Sequence, residues 1–368
     1  MRVPIARVAM AGIALIAAGC ATTGRPPELT LRDAVSPVWS LQQTNDELVV
    51  ALSPAGKSLR LAGSAGIVIG TGVDAVVNAQ YRDQIREILG EDDTASILAK
   101  GLERRLQDDV GDKLAQVPPI STTAGYSSRR EAMAAQYEGL ARQNHDTLLL
   151  LRTTHGVFGH DGTLAVKIDA RQVALPSGST LWSDDIVVTP APVLACDRLG
   201  DPTDRVSPQV KGARLTVERG VLDQWRGGAR SLRDDFAQTV EAAGAALAVS
   251  LGLEDDTVGE YHLAKVAMNE KRFDEAIARL NNAIQRQPGF VDAHNALSVT
   301  YAHQGKIDEA IAKAKAITEQ WPEYGPACMN LAWWYVVEKD DANAAQPFYK
   351  RALDLGMEPV EEIAEELP

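Results

Sequence analysis

Cysteine is scarce in this chain, with three among 368 residues, too few for a disulfide scaffold. Basic charge is in deficit: 37 Lys and Arg stand against 50 Asp and Glu, a net −13. That balance argues against a general nucleic-acid binder, because a phosphate backbone calls for a basic surface. No apolar run of 18 or more residues follows the N-terminus, so no spanning helix is expected there. Aromatics are only 5% of the chain, and most of them fall between residues 258 and 356. What remains is an ordinary globular composition, long enough for about two domains.

The first twenty residues read as an address. Arg2 and Arg7 give a positive start, and an apolar stretch runs from Val8 to Ala18. It is too short to cross a bilayer comfortably and has the form of a secretory h-region. It closes on Ala17-Ala18-Gly19-Cys20, which resembles the bacterial lipobox. The resemblance implies a signal peptide over 1–19, cleavage before Cys20 and acylation of its thiol. Ala17 stands where that motif usually has Leu. Ala21 is not Asp, which by the same resemblance implies the outer membrane, facing the periplasm. Several acyl chains suffice for stable anchoring. Residues 20–44, with Pro26 and Pro27, are then expected to be the lipidated cysteine and a tether. Cys196 and Cys328 are left either to pair in an oxidising compartment or to remain half-buried thiols.

The C-terminal third repeats itself. Ala276, Ala310 and Ala344 are 34 residues apart, as are Tyr301 and Tyr335, and Pro288 and Pro322. The blocks Phe273-Asp-Glu-Ala-Ile and Ile307-Asp-Glu-Ala-Ile match. Small alanines let helix backbones approach, while Phe273, Leu280, Leu297 and Tyr301 fill a seam at helical spacing. Pro288 and Pro322 end the second helix of each pair, and Gly305 suits the turn between helices. Asp256-Thr257 followed by Glu260 has the spacing of a capping box. In the third unit Phe348 and Ala352 fit only after a one-residue slip, and Pro347 falls inside the second helix.

These features resemble the tetratricopeptide repeat (TPR), with about three repeats over 257–356. The resemblance implies an array of helix pairs with a concave groove lined by first-helix residues. Carried over by position, that lining is Tyr261, Lys265, Asn269, Asn295, Val299, His303, Met329 and Trp333. Its mixed aromatic and polar character suits a peptide or helix of another protein. The set that grips a terminal carboxylate in some TPR proteins is not reproduced. A groove filled by this chain itself, or by the neighbouring domain, is the competing reading. Residues 357–368 form an acidic tail, a solvated cap or a frayed helix.

Residues 45–253 lack the repeat and read as an α/β domain, making the whole chain α+β. Leu48–Leu52 and Ser58–Ala62 have strand character. Leu98, Leu102, Leu106, Val110 and Leu114 mark an amphipathic helix over Thr94–Val117. Ser128 with Glu131 opens a second helix, to Gln143. Strands are expected at Thr147–Thr154, Leu164–Leu175 and Ser179–Thr189, joined by short turns and therefore antiparallel. Residues 190–215 read as a long loop. A long helix from Gly220 to Leu251 closes the domain, burying Trp225, Leu232, Phe236 and Val240. The run from Asp146 through Trp182 is similar to the α/β domain of the curli-secretion and penicillin-binding-protein-activator lipoproteins.

Candidate chemistry is thin. Gly70-Thr-Gly72-Val-Asp-Ala75 follows an apolar run, but no second strand ending in a ribose-gripping acid follows at the required distance. His155, His160 and Asp161 lie at a turn without a Cys or Glu at ligand spacing. No G-x-S-x-G elbow occurs, and Asp184 and Asp185 are strand neighbours facing opposite ways. No cofactor, metal or catalytic residue is therefore expected. The sequence points to a lipid-anchored periplasmic adaptor that holds an envelope protein in its TPR groove, as an accessory to secretion or envelope assembly. A subunit of a homo-oligomeric export ring, and an envelope hydrolase with its site in the α/β domain, are the alternatives.

Overall fold

Pro37–Gln43 (β1) runs parallel to Thr147–Phe158 far along the chain, with Pro37 opposite Thr147 and Gln43 opposite Thr153. This strand lies inside the segment expected to be tether, so the folded domain begins well before residue 45. The reason is burial on both faces: Val38 joins a cluster on one side of the sheet, Trp39 and Leu41 the core on the other. A strand covered on both faces shows no alternation for a reader to find. The computed structural model describes residues 31–44, 46–51, 78–89, 93–119, 126–159, 162–197, 199, 222–226 and 231–367. Cys20, the Ser58–Ala62 strand, the Gly70 motif, His160 with Asp161, and most of the long loop lie outside them.

Following β1 along the chain, β2 is Val49–Ala51, α1 spans 78–89, α2 is Thr94–Val110, β3 is Ala115–Gln116 and α3 is Tyr126–Arg142. Then come β4 (Thr147–Phe158), β5 (Thr163–Ala174) and β6 (Thr180–Val188). The sheet order is β3-β1-β4-β5-β6, with β2 also against β4. β4, β5 and β6 are antiparallel, as the short turns implied. β1, β2 and β3 add a parallel half. Two helix ends differ from expectation. α2 stops at Val110, where Gly111 takes a left-handed φ of 84°, and the chain after it forms β3. α3 starts at Tyr126, so Ser128 lies within it and not at its cap.

The domain has three layers. α3 covers one face of the sheet, where Tyr137 and Leu140 meet Val38, Leu148 and Val173. On the other face Leu98, Leu102 and Leu106 of α2 pack with Leu149, Leu151, Val166, Ile168 and Ile186. The expected single helix over 220–251 is two pieces: α4 (Asp223–Arg226) and α5 (Leu232–Ser250). Ser231 caps α5, its side chain accepting from the Asp234 N–H, so a new helix begins there. Trp225 stays in the core and donates from Nε1 to Asp235 Oδ2 at 2.8 Å.

α5 then packs against the first repeat helix. The array comprises α6 (Thr257–Asn269) and α7 (Phe273–Arg286), α8 (Val291–His303) and α9 (Ile307–Gln320), and α10 (Gly325–Trp333) and α11 (Ala342–Asp354). Gly259 sits where α5 and α6 touch, and a Cβ there would meet the Ala245 carbonyl oxygen at 2.6 Å. Asp256 caps α6 by accepting the Gly259 N–H at 2.8 Å. Glu260 does not complete the capping box; its carboxylate faces Arg279 of α7 at 3.0 Å. Arg105 of α2 pairs with Glu254 and Asp256, pinning the short link between the two parts.

The third repeat differs by one residue. Trp334–Glu338 forms a π-helix, with the Lys339 N–H donating to Trp334 O at 3.1 Å. A π-turn accommodates one extra residue. The buried small residue of the second helices is accordingly Ala276, Ala310 and then Ala345, not Ala344. The same shift places Ala352 in the interior. The acidic tail is a packed cap and not a frayed end. Ile363 of α12 (Glu361–Ala364) is fully buried, and Tyr349 Oη exchanges hydrogen bonds with the main chain of Val360.

Candidate functional site: an occupied groove

The groove of the array holds a segment of this chain. After β6 the backbone leaves the sheet and runs across the first helices of all three repeats as a strap, residues 189–197. Lys265 of α6 donates from Nζ to Thr189 O at 3.0 Å, to Thr189 Oγ1 at 3.0 Å and to Ala191 O at 2.8 Å. Asn295 of α8 donates from Nδ2 to Val193 O at 2.8 Å. Asn330 of α10 accepts the Ala195 N–H on Oδ1 at 2.7 Å, and donates to Asn295 Oδ1 at 2.9 Å. The two asparagines are fully buried. A buried amide is costly unless its donors and acceptors are matched; here the strap's main chain matches them.

Apolar contacts follow the same path. Val193, Ala195 and Leu199 pack on the interior cluster that runs through the array, and Leu194 packs on the cluster of Cys328, Met329 and Ile363. The strap ends in a tight turn, where the Leu194 N–H donates to Asp197 Oδ2 at 3.0 Å. A cavity of about 100 Å³ remains between strap, sheet and array, lined in part by Thr163, Lys265, Asn269 and His303.

The eight candidate groove residues therefore divide. Lys265 and Asn295 grip the strap directly. Asn269 and His303 line the cavity beside it, His303 stacked on Phe273 with ring centroids 5.9 Å apart. Tyr261, Val299 and Met329 are enclosed in helix packing. Tyr261 meets Phe290 edge-on, and burial pushes its phenol pKa up. Trp333 is half-buried between two clusters. Asn330, which also binds the strap's main chain, was not in the set. Positional transfer selected Met329, one residue earlier. The signal available for the strap was Thr189-Pro190-Ala191-Pro192-Val193, whose alternate prolines favour an extended chain.

Elsewhere the polar residues serve the core. His155 is fully buried, its Nε2 3.0 Å from Thr94 Oγ1 and its ring against Phe236. Burial lowers its pKa to about 4, with Asp93 opposing weakly. Asp184 is buried and accepts from Ser250 Oγ, while its neighbour Asp185 is exposed on the other face. Burial raises the Asp184 carboxyl. Cys196 and Cys328 are free thiols, and burial pushes Cys196 up to about 12. Among the described residues no group of three or more His, Cys, Asp or Glu is arranged to hold a metal ion.

The family comparison falls on the same region as the groove. A tetratricopeptide repeat family profile matches residues 261–325. Among solved structures the chain is similar to YrrB, described as a TPR protein with an unusual peptide-binding site. The identity is 23%, over 34% of this chain and 63% of that one, with a TM-score of 0.28. It is also similar to a mutant of MamA, at 21% identity over 37% of this chain and 84% of that one, with a TM-score of 0.26. This chain thus spans less than two thirds of YrrB. No curated protein matches it in sequence. The C-terminal part of this chain carries tetratricopeptide repeats, a fold of protein-interaction scaffolds.

Proposed function

We propose that the protein is a membrane-anchored adaptor of the bacterial envelope, lipidated at Cys20, facing the periplasm, and binding a protein partner through its TPR array. One observation carries this reading: the first helices of the array grip a non-helical polypeptide segment by side-chain hydrogen bonds to its main chain. A surface that reads main chain accepts a segment of another protein by the same contacts. Anchoring at Cys20 concentrates that partner at the membrane.

The test is a photo-crosslinking residue in place of Trp333, with adducts from intact cells identified by mass spectrometry. The adaptor reading expects one dominant envelope protein, lost when Cys20 is changed to Ala. Adducts to this protein's own chain alone would overturn it.

A further inference from the structure

The strap's own chemistry describes what the groove selects. We infer that the partner segment is an uncharged stretch with prolines at alternate positions, and that residues 189–196 are an internal copy of it that must leave before the partner enters. The inference rests on the preceding reading that the array takes a protein partner, and it adds the partner's chemistry and the order of events.

The main-chain contacts fall at alternate residues. The carbonyls of Thr189, Ala191 and Val193 and the N–H of Ala195 all meet the array. The backbone bends at Pro190 and Ala191 and turns at 195–197, yet alternate residues still present a main-chain group to the array. The intervening positions, 190 and 192, are both proline. Proline has no N–H, so the outer edge of the strap lacks the donors that another strand would pair with. Proline also restricts the free segment before binding, which reduces the entropy lost on docking.

Side-chain contacts add a second filter. Val193 and Ala195, both half-buried, pack against the array's apolar cluster, whose members include Ala264, Ala267, Ala296 and Leu297, where a carboxylate or ammonium would lose hydration without gaining a partner. Lys265, on the same side of the array, is already turned to carbonyl oxygens. The groove therefore favours small neutral side chains. It also sets a direction: the strap meets Lys265, Asn295 and Asn330 in that order, from its N-terminal to its C-terminal end. A segment running the other way would meet Lys265, Asn295 and Asn330 with its carbonyls, N–H groups and prolines in the reverse order.

The strap is continuous with β6, so its local concentration at the groove is on the order of millimolar. A free segment of equal intrinsic affinity competes poorly until the strap is displaced.

The experiment uses the full chain with Val193→Asp and Ala195→Asp, which put carboxylates at the apolar contacts and release the strap. A fluorescent peptide copying residues 188–196, with capped ends, is titrated by anisotropy into this variant and into the unchanged chain. Binding to the released variant is expected to be at least about tenfold tighter. The reversed-sequence peptide should not bind, and adding Asn295→Ala with Asn330→Ala should abolish binding. Equal affinity for both chains, equal binding of the reversed peptide, or no binding to a released variant with unchanged helical circular dichroism would each overturn the inference. If that variant loses its helix signal, the unchanged chain decides. Excess peptide is expected to speed hydrogen exchange at the Ala195 amide about tenfold or more, and an unaltered rate would overturn the proposal. An envelope adduct at position 333 alongside failure here removes only this inference; loss of all such adducts removes the adaptor reading itself.

Discussion

The α/β domain and the TPR array hold themselves together over different distances along the chain. In the array each helix packs on its neighbours in sequence, and the same side-chain pattern returns at each pair. In the α/β domain Pro37 pairs with Thr147 and Val49 with Gly156, contacts that close long loops before any are rewarded. The difference also shows in how each part handles polar groups. The domain buries isolated ones, such as His155 against Thr94. The array buries a linked pair, Asn295 and Asn330, whose remaining valences are met by a segment that belongs to the domain. The strap is where the non-local part of the molecule completes the local one.

Acid should strike the domain through His155. Its imidazole takes a proton near pH 6.5 when unfolded, but only near about 4 when folded. The unfolded state thus binds the extra proton in between, and stability falls progressively as pH drops through that window. The full effect is about 3 kcal/mol. Urea unfolding across this range should show a shallower fall for His155→Gln than for the unchanged chain. Parallel slopes would show that His155 is not the acid-sensitive group.

The joint comes next in size. Gly259→Ala places a methyl against the Ala245 carbonyl, forcing α5 and α6 apart at a cost of about 2 kcal/mol. A thermal midpoint unchanged from that of the parent chain would mean the two parts do not meet there.

The smallest effect separates the third repeat from the first two. Ala345→Leu should destabilise the array by about 1–2 kcal/mol through overpacking. Ala344→Leu, on the strict 34-residue register, should stay within about 0.5 kcal/mol. The reverse ranking would place the π-helix wrongly.

Much of this was legible in the sequence, for physical reasons that differ by element. The repeat period gave the helix pairs, because their contacts are local and recur. Val166, Ile168 and Ala170 alternating with charged residues gave β5 its faces. β1 was hidden because Val38 and Trp39 are both buried, and because its partner lies far along the chain. The one-residue shift at Trp334–Glu338 left a trace in the slipped Phe348 and Ala352, but a π-turn has no composition of its own to announce it. The strap read as loop because its prolines break every regular period. Lys265 and Asn295, selected by position on first helices, meet the chain's own strap. Asn330 was missed because that transfer assumes equivalent residues face the groove in every repeat.

The central claim is that the array's groove is closed over residues 189–197 in the free protein. Amide hydrogen exchange at Ala195, compared between the unchanged chain and Asn330→Ala, tests it most directly. The Ala195 N–H should exchange slowly in the first and at least about tenfold faster in the second, the loss of one hydrogen bond being worth about 1.4 kcal/mol or more, while β4 and β5 amides stay protected in both. An Ala195 amide that exchanges in the unchanged chain as fast as in an unstructured peptide would contradict the account.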